Sequence, residues 1–157
     1  MKLFLSFLFI FFSSITQSDQ LVIGHRGAKG HIAENTLVSI KKAIELGADG
    51  IEIDVFLCKS GEIVVFHDKK LDYLTNGKGL IESKTLSELK KLRVLGTNEQ
   101  IPTLNEVFDI IDKNTFLNIE LKGSNTAKSS LDIVKEQLNN NKVSYNNILF
   151  SSFNWEE

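Results

Sequence analysis

One cysteine in 157 residues, Cys58, excludes an internal disulfide framework and any metal site built from several thiolates. Its strand-like surroundings, VFLCK, mark it as a small apolar packing residue. A basic excess is missing too. With 18 Lys and Arg against 20 Asp and Glu, the net charge of −2 gives no electrostatic reason for a nucleic-acid partner. No apolar run reaches the roughly 18–20 residues that a membrane-spanning helix needs. Beyond the N-terminal run there is no internal repeat or low-complexity tract. A composition with 42% hydrophobic and 24% charged residues excludes disorder and fits one folded domain. Histidines are scarce, only three, so their positions carry weight.

The first residues form a segment of their own. Lys2 precedes LFLSFLFIFF, interrupted only by Ser6, and the polar stretch SSITQS follows. A positive start, about ten apolar residues and small residues before a cut read as a secretory signal. Residues 1–18 are therefore expected to leave after Ser18, and no cysteine near the cut supports a lipid anchor. The remaining domain, 19–157, would have no stable membrane span and would work outside the cytoplasm, secreted or periplasmic.

From Leu21 the pattern alternates between strand and helix. Strands are expected at Leu21–His25, Gly50–Leu57, Glu62–His67, Phe116–Lys122 and Ile148–Phe153. Helices are expected over Asn35–Leu46, ended by Gly47, and over Ala127–Asn140. Thr103 with Glu106 three residues on predicts a capping box and a helix to about Asp112. Between Lys69 and Ile101 the rhythm breaks into a turn at Asn76–Gly79 and a short helix in TLSELKKLRVLG. Alternating βα units with apolar strands imply a parallel α/β fold.

Ionisable residues stand in or just after these apolar runs. They are His25 and Arg26 after LVIG, Glu52 and Asp54 in GIEIDV, His67 after EIVVF, and Glu120 and Lys122 in FLNIELK. Charge in a buried run is costly unless it is paired, hydrogen-bonded or bound to a metal. Residues two apart on a strand share a face, so Glu52 and Asp54 lie together, as do Glu120 and Lys122. Carboxylates that close repel unless a cation holds them ionised. With Glu120 they make an all-oxygen set suited to Mg²⁺ or Ca²⁺ rather than Zn²⁺. Solvent exposure on an amphipathic strand is the plainer alternative for the first pair. His25 and His67 can shuttle protons from the carboxyl rim of a sheet, or serve as hydrogen-bonded structural histidines. His31 is assigned no such role. Arg26 and Lys122 either pair with the carboxylates or grip a phosphate.

Gly24, Gly27 and Gly30 suggest a dinucleotide loop, with Glu52 downstream to hold a ribose. The spacing is G-x-x-G-x-x-G rather than the required fingerprint. The helix is also expected to begin too late to press on that loop, so the reading is weak.

HRGAKGHIAENT, GADGIEIDV, VVFHD, TNGKG, IPTL and NIELK, in this order from about Leu21 to Phe153, closely resemble the glycerophosphodiester phosphodiesterase family. The resemblance implies a TIM-type (β/α) barrel that hydrolyses glycerophosphodiesters to an alcohol and glycerol 3-phosphate with a divalent cation. It also implies roles: Glu52, Asp54 and Glu120 as metal ligands, His25 and His67 as the acid–base pair, Arg26 and Lys122 as phosphate contacts. Glu34 and Asn35 match the family's ENT motif, which supports the site from behind its ligands. Lys69–Ile101 matches the family's inserted segment beside the pocket.

Two features depart from the family pattern. Ala33 stands where the family usually has Pro. A cut after Ser18 leaves roughly 140 residues and five expected strands, whereas an eight-stranded barrel takes about 200–250 residues. The expectation is a barrel truncated after about five strands, without the later pocket residues. Two rival functions follow: a phospholipase D-like headgroup hydrolase, and an inactive truncated domain that only binds metal or phosphodiester.

Overall fold

The computed structural model describes residues 20–156; the expected signal and its cut after Ser18 lie outside the described residues. Five strands form one sheet: β1 Ile23–His25, β2 Gly50–Leu57, β3 Ile63–Val65, β4 Phe116–Leu121 and β5 Ile148–Ser151. Four of them, in the order β1-β2-β4-β5, run parallel. The fifth differs from the parallel expectation. Strand β3 runs antiparallel to β2 and pairs only with its last residues, Val55 to Leu57. The short turn at Lys59-Ser60-Gly61 is the reason: a link of that length can return a chain but cannot carry a crossover. Gly61 takes φ +99 in it, a conformation that favours glycine.

Helices α1 (Leu37–Glu45), α3 (Leu104–Phe108) and α4 (Thr126–Asn139) cover one face of the sheet; α2 (Leu86–Leu89) belongs to the inserted segment. Ile51, Ile53 and Val55 of β2 and Leu117, Ile119 and Leu121 of β4 point to the helices. There they meet Ile40, Ala43, Leu104, Val107, Phe108 and Val134. Burial of each such side chain is worth about 1.5–3 kcal/mol, so this layer fixes which face of each strand is apolar.

Capping fixes the helix starts. Thr36 Oγ1 accepts from the Ser39 N–H at 3.1 Å and begins α1. The capping box of Thr103 and Glu106 forms as expected. Helix α3 ends at Phe108, short of Asp112, because the Asp112 carboxylate accepts from the N–H groups of Asn114 and Thr115 and turns the chain into β4. The expected helix over 85–96 also stops early, at Leu89. Its later N–H groups go to partners elsewhere, Arg93 to Asn76 Oδ1 and Leu95 to Leu74 O.

The inserted segment has a core of its own. Leu71, Ile81, Leu89, Val94 and Ile101 pack against Phe56, Val64 and Phe66 at the far end of the β2–β3 hairpin. Cys58 is buried in this cluster, as a packing residue should be. Ala33 packs against the same cluster, so the loop after β1 leans on the insert.

Candidate active site

Register brings the acids together. In the parallel ladder Asp54 lies opposite Glu120, and Glu52 opposite Asn118, so side chains of one face meet across strands about 4.8 Å apart. Oxygens of Glu52, Asp54 and Glu120 all lie within 4.8 Å of one another. Glu52 and Asp54 are buried, 7% and 1% exposed, which rules out the solvent-facing alternative. Burial, joined by the Asp54 charge, raises the Glu52 carboxyl from 4.5 to about 7. Burial also raises Asp54, against the opposing bond from Asn35 and the charges of His67 and Arg26. Glu52 Oε1 and Asp54 Oδ1 are buried without a hydrogen-bond partner. Orphaned carboxylate oxygens converging in this way fit a hard divalent cation, which would take the place of the missing partners.

Strand β1 and the loop after it build the second wall. Arg26 and Gly27 both take left-handed backbone, φ 55 and 76. This turn aims the Arg26 N–H at Glu52 Oε2, 2.9 Å away. Gly27 is required on steric grounds as well: a Cβ there would lie 2.6 Å from Ser39 Oγ and 2.8 Å from the Ile40 nitrogen. The loop therefore presses on the first turns of α1, contrary to the expectation that it stands clear. Ala28 N–H donating to Ser39 O fastens the same contact. A dinucleotide reading gains nothing from it, because Thr36 already caps the helix terminus.

Both histidines reach the cluster. His25 Nε2 lies 3.7 Å from Glu52 Oε2, with its side chain largely open to solvent. His67 arrives by the return of β3: the Phe66 N–H donates to Asp54 O, and the His67 charge acts on the Asp54 carboxyl. Its Nδ1 is 2.6 Å from Asp68 Oδ1, which orients the ring and leaves Nε2 for other chemistry. Asp68 was not assigned a role from sequence; its adjacency to His67 was the available signal. His31 is exposed in the β1–α1 loop.

The two cations pair with the carboxylates. Arg26 Nη1 donates to Glu34 Oε1 at 2.8 Å, and Arg26 Nε lies 3.3 Å from Asp54 Oδ2 as a charge contact rather than an aligned hydrogen bond. Lys122 Nζ is 2.9 Å from Glu120 and 3.8 Å from Asp54. Glu34 bonds to Arg26, and Asn35 bonds to Asp54. Asn35 Nδ2 donates to Asp54 Oδ2 at 2.9 Å, and the Asp54 N–H returns to Asn35 Oδ1. Burial would raise Glu34, but Lys29 and Arg26 bonded to it outweigh that and hold it low. Lys29, 2.6 Å from Glu34, carried no sequence signal. Neither did the Ser151 hydroxyl, which donates to Asn118 on the same interior face.

Parallel strands under a helix layer, with polar side chains gathered toward their carboxyl ends, define a (β/α)-barrel scaffold of which the described residues supply part. Its three convergent carboxylates beside Arg26 and Lys122 suit a cation together with an anion. The family model for the glycerophosphoryl diester phosphodiesterase family matches residues 25–157. A glycerophosphodiester phosphodiesterase of Caldanaerobacter subterraneus is 50% identical over 109 residues, 65% of this chain and 45% of the relative. One from Bacillus altitudinis is 38% identical over 141 residues, 84% of this chain and 57% of the relative. Among solved structures, an Oleispira antarctica phosphodiesterase in complex with the product sn-glycerol-3-phosphate superposes with a TM-score of 0.78 at 37% identity. That match covers 87% of this chain and 59% of the other. The Thermotoga maritima glycerophosphodiester phosphodiesterase gives 0.68 at 38% identity, covering 87% and 56%. The chain belongs to the glycerophosphoryl diester phosphodiesterase family. It spans about half the length of the curated relatives it matches.

Proposed function

We propose that this chain carries the catalytic end of a divalent-cation-dependent glycerophosphodiester phosphodiesterase, forming an alcohol and glycerol 3-phosphate. The observation that carries the reading is the pair of orphaned buried oxygens, Glu52 Oε1 and Asp54 Oδ1, converging with Glu120 between two histidines and two fixed cations. Glu52, Asp54 and Glu120 would hold Mg²⁺ or Ca²⁺. When bound, such an ion neutralises the diester and draws electron density from its oxygens. The Oleispira relative's complex with the product sn-glycerol-3-phosphate supports glycerol 3-phosphate as a product here.

The chain's own groups do the rest in this proposal. Arg26 and Lys122, held by Glu34 and Glu120, stabilise negative charge that develops on the phosphoryl oxygens. One of His25 and His67 takes a proton from the nucleophile, either water or the substrate's neighbouring hydroxyl, whose cyclic phosphodiester water then opens, and the other protonates the departing alcohol oxygen. Asp68 orients the His67 ring through its Nδ1 contact. Glu52 Oε2 stands 3.7 Å from the His25 ring nitrogen Nε2. The N-terminal run supports work outside the cytoplasm, and no helix among the described residues is long and apolar enough to cross a membrane.

The test is turnover of glycerophosphocholine with Mg²⁺ or Ca²⁺. His25→Ala and His67→Ala should each lower kcat by about 10²–10⁴-fold, the usual contribution of general acid–base groups. Wild-type rates in both variants would sink the acid–base assignment, and activity unaffected by chelators would sink the cation.

A further inference from the structure

Strand β5 brings an aromatic ring to the polar face of the sheet. The β4–β5 ladder pairs Glu120 with Ser151 at its last level. The Ser152 hydroxyl then donates to Leu121 O at 3.0 Å and keeps the two chains level for one residue more. Glu120 and Lys122 share the polar face of β4 by the strand period of two. The Ser151 hydroxyl, bonded to Asn118, marks the same face of β5. Phe153, two residues on, follows onto that face and stands next to Lys122. Its ring centroid lies 5.9 Å from Lys122 Nζ, within the reach at which a ring face attracts an ammonium.

The backbone fixes the ring from both sides. Ser152 Oγ also accepts from the Asn154 N–H at 3.0 Å, which turns the chain directly after Phe153. The side chain so held is 87% exposed. A lone exposed apolar side chain needs no explanation by itself. This one is set by hydrogen bonds against a cation, and that cation belongs to the carboxylate cluster.

Lys122 has use for such a neighbour. An ammonium on a flexible four-carbon stem is a mobile point charge. Nζ is 2.9 Å from Glu120 and 3.8 Å from Asp54, two of the carboxylates that would hold the divalent cation. A bound cation would compete for those oxygens and repel the ammonium. The Phe153 ring is a neutral partner, which a cation on the carboxylates would not take away.

We propose that Phe153 is a positioning residue: its ring holds the Lys122 ammonium at the carboxyl rim, facing the phosphoryl oxygens, and so raises the affinity for the phosphoryl group. The proposal rests on the phosphodiesterase reading above, which gives Lys122 its phosphate, and adds the residue that fixes it.

The experiment titrates the full chain with sn-glycerol 3-phosphate in the presence of Ca²⁺ and follows the ε-methylene proton resonances of Lys122. In the wild type the ring current should displace those resonances upfield, and Phe153→Leu should abolish the displacement. Kd for glycerol 3-phosphate should rise about 2–5-fold in Phe153→Leu, the scale of an exposed cation–π contact, and recover in Phe153→Trp. It should also rise stepwise as the ring is replaced by its mono-, di- and trifluorinated forms, which keep the shape and drain negative charge from the ring face. In a Lys122→Met background Phe153→Leu should have no further effect, since the cycle isolates the pair. An affinity indifferent to fluorination, undisplaced ε protons, or a Phe153→Leu penalty that persists without Lys122 would overturn the proposal. Displaced ε protons with no binding of glycerol 3-phosphate by the wild type would instead sink the phosphodiesterase reading, and with it the phosphate role of the ring, while the ring–lysine contact stands.

Discussion

The two faces of strands β2 and β4 are built from alternate residues of the same fourteen positions, yet obey opposite rules. On the helix side Ile51, Ile53, Leu117 and Ile119 are wholly buried and apolar. On the other side Glu52 and Asp54 are almost as deeply buried, are charged in their ordinary state, and keep oxygens without partners. One face lowers the free energy of folding; the other raises it unless something further binds. A fold tolerates the second because the first is so complete, which is why the acids can be held close against their repulsion.

Breaking the polar face should separate activity from stability most sharply. Asp54→Asn removes one proposed cation ligand and one repelling charge while keeping the bond to Asn35. Turnover should fall by on the order of 10³-fold, several kcal/mol of lost stabilisation, while the metal-free protein melts no lower than wild type. A clear drop in melting temperature would mean that Asp54 serves the fold. The apolar face should respond in reverse. Ile53→Ala, one residue away, should cost about 3 kcal/mol in chemical denaturation and leave KM for glycerophosphocholine unchanged in the folded fraction. Behind the site, Glu34→Gln loosens Arg26 and Lys29 together, and a loss of about 10–100-fold is expected. A larger loss than that of Asp54→Asn would make Glu34, not the acid cluster, the centre of the chemistry.

The smallest effect is in pH. Glu52 in the fold titrates at about 7, above its ordinary 4.5, so its protonated form is favoured by folding. Its contribution to stability is full below about 4.5 and is lost as pH rises toward and through about 7. In metal-free protein, Glu52→Gln should therefore gain on wild type as pH rises across that window and hold its lead above it. Cation binding should run the other way for the wild type, tightening as the pH passes 7, because the ligand oxygen must be unprotonated. A gap between Glu52→Gln and wild type that ignores pH would show that burial does not govern Glu52.

His67 shows where the sequence could be right about a residue and wrong about its route. An apolar run before it suggested a parallel strand ending at the rim. It stands instead on the returning arm of a hairpin that climbs past the rim and comes back, so that Phe66 bonds to Asp54 O. The helix ends at Phe108 and Leu89 were illegible for a related reason. Local propensity continues both helices, and N–H partners distant in the chain, or an Asx turn, stop them. Lys29 and Ser151 were missed because a lone lysine in a loop and a serine on a short strand look like any others until their partners, Glu34 and Asn118, are in place.

By itself the sequence determined the alternation of strand and helix, the capping residues, the acids two apart on one face, and the ordered motifs that mark the family. These are local facts, set by side-chain period and by hydrogen bonds within a few residues. Only the tertiary structure decided that Asp54 and Glu120 stand level across β2 and β4, that β3 folds back to deliver His67, and that the β1–α1 loop and the insert close a cavity beside Glu34. Register, strand direction and the meeting of distant segments depend on which apolar faces pack together, and that is settled by the whole core at once rather than by any stretch of the chain.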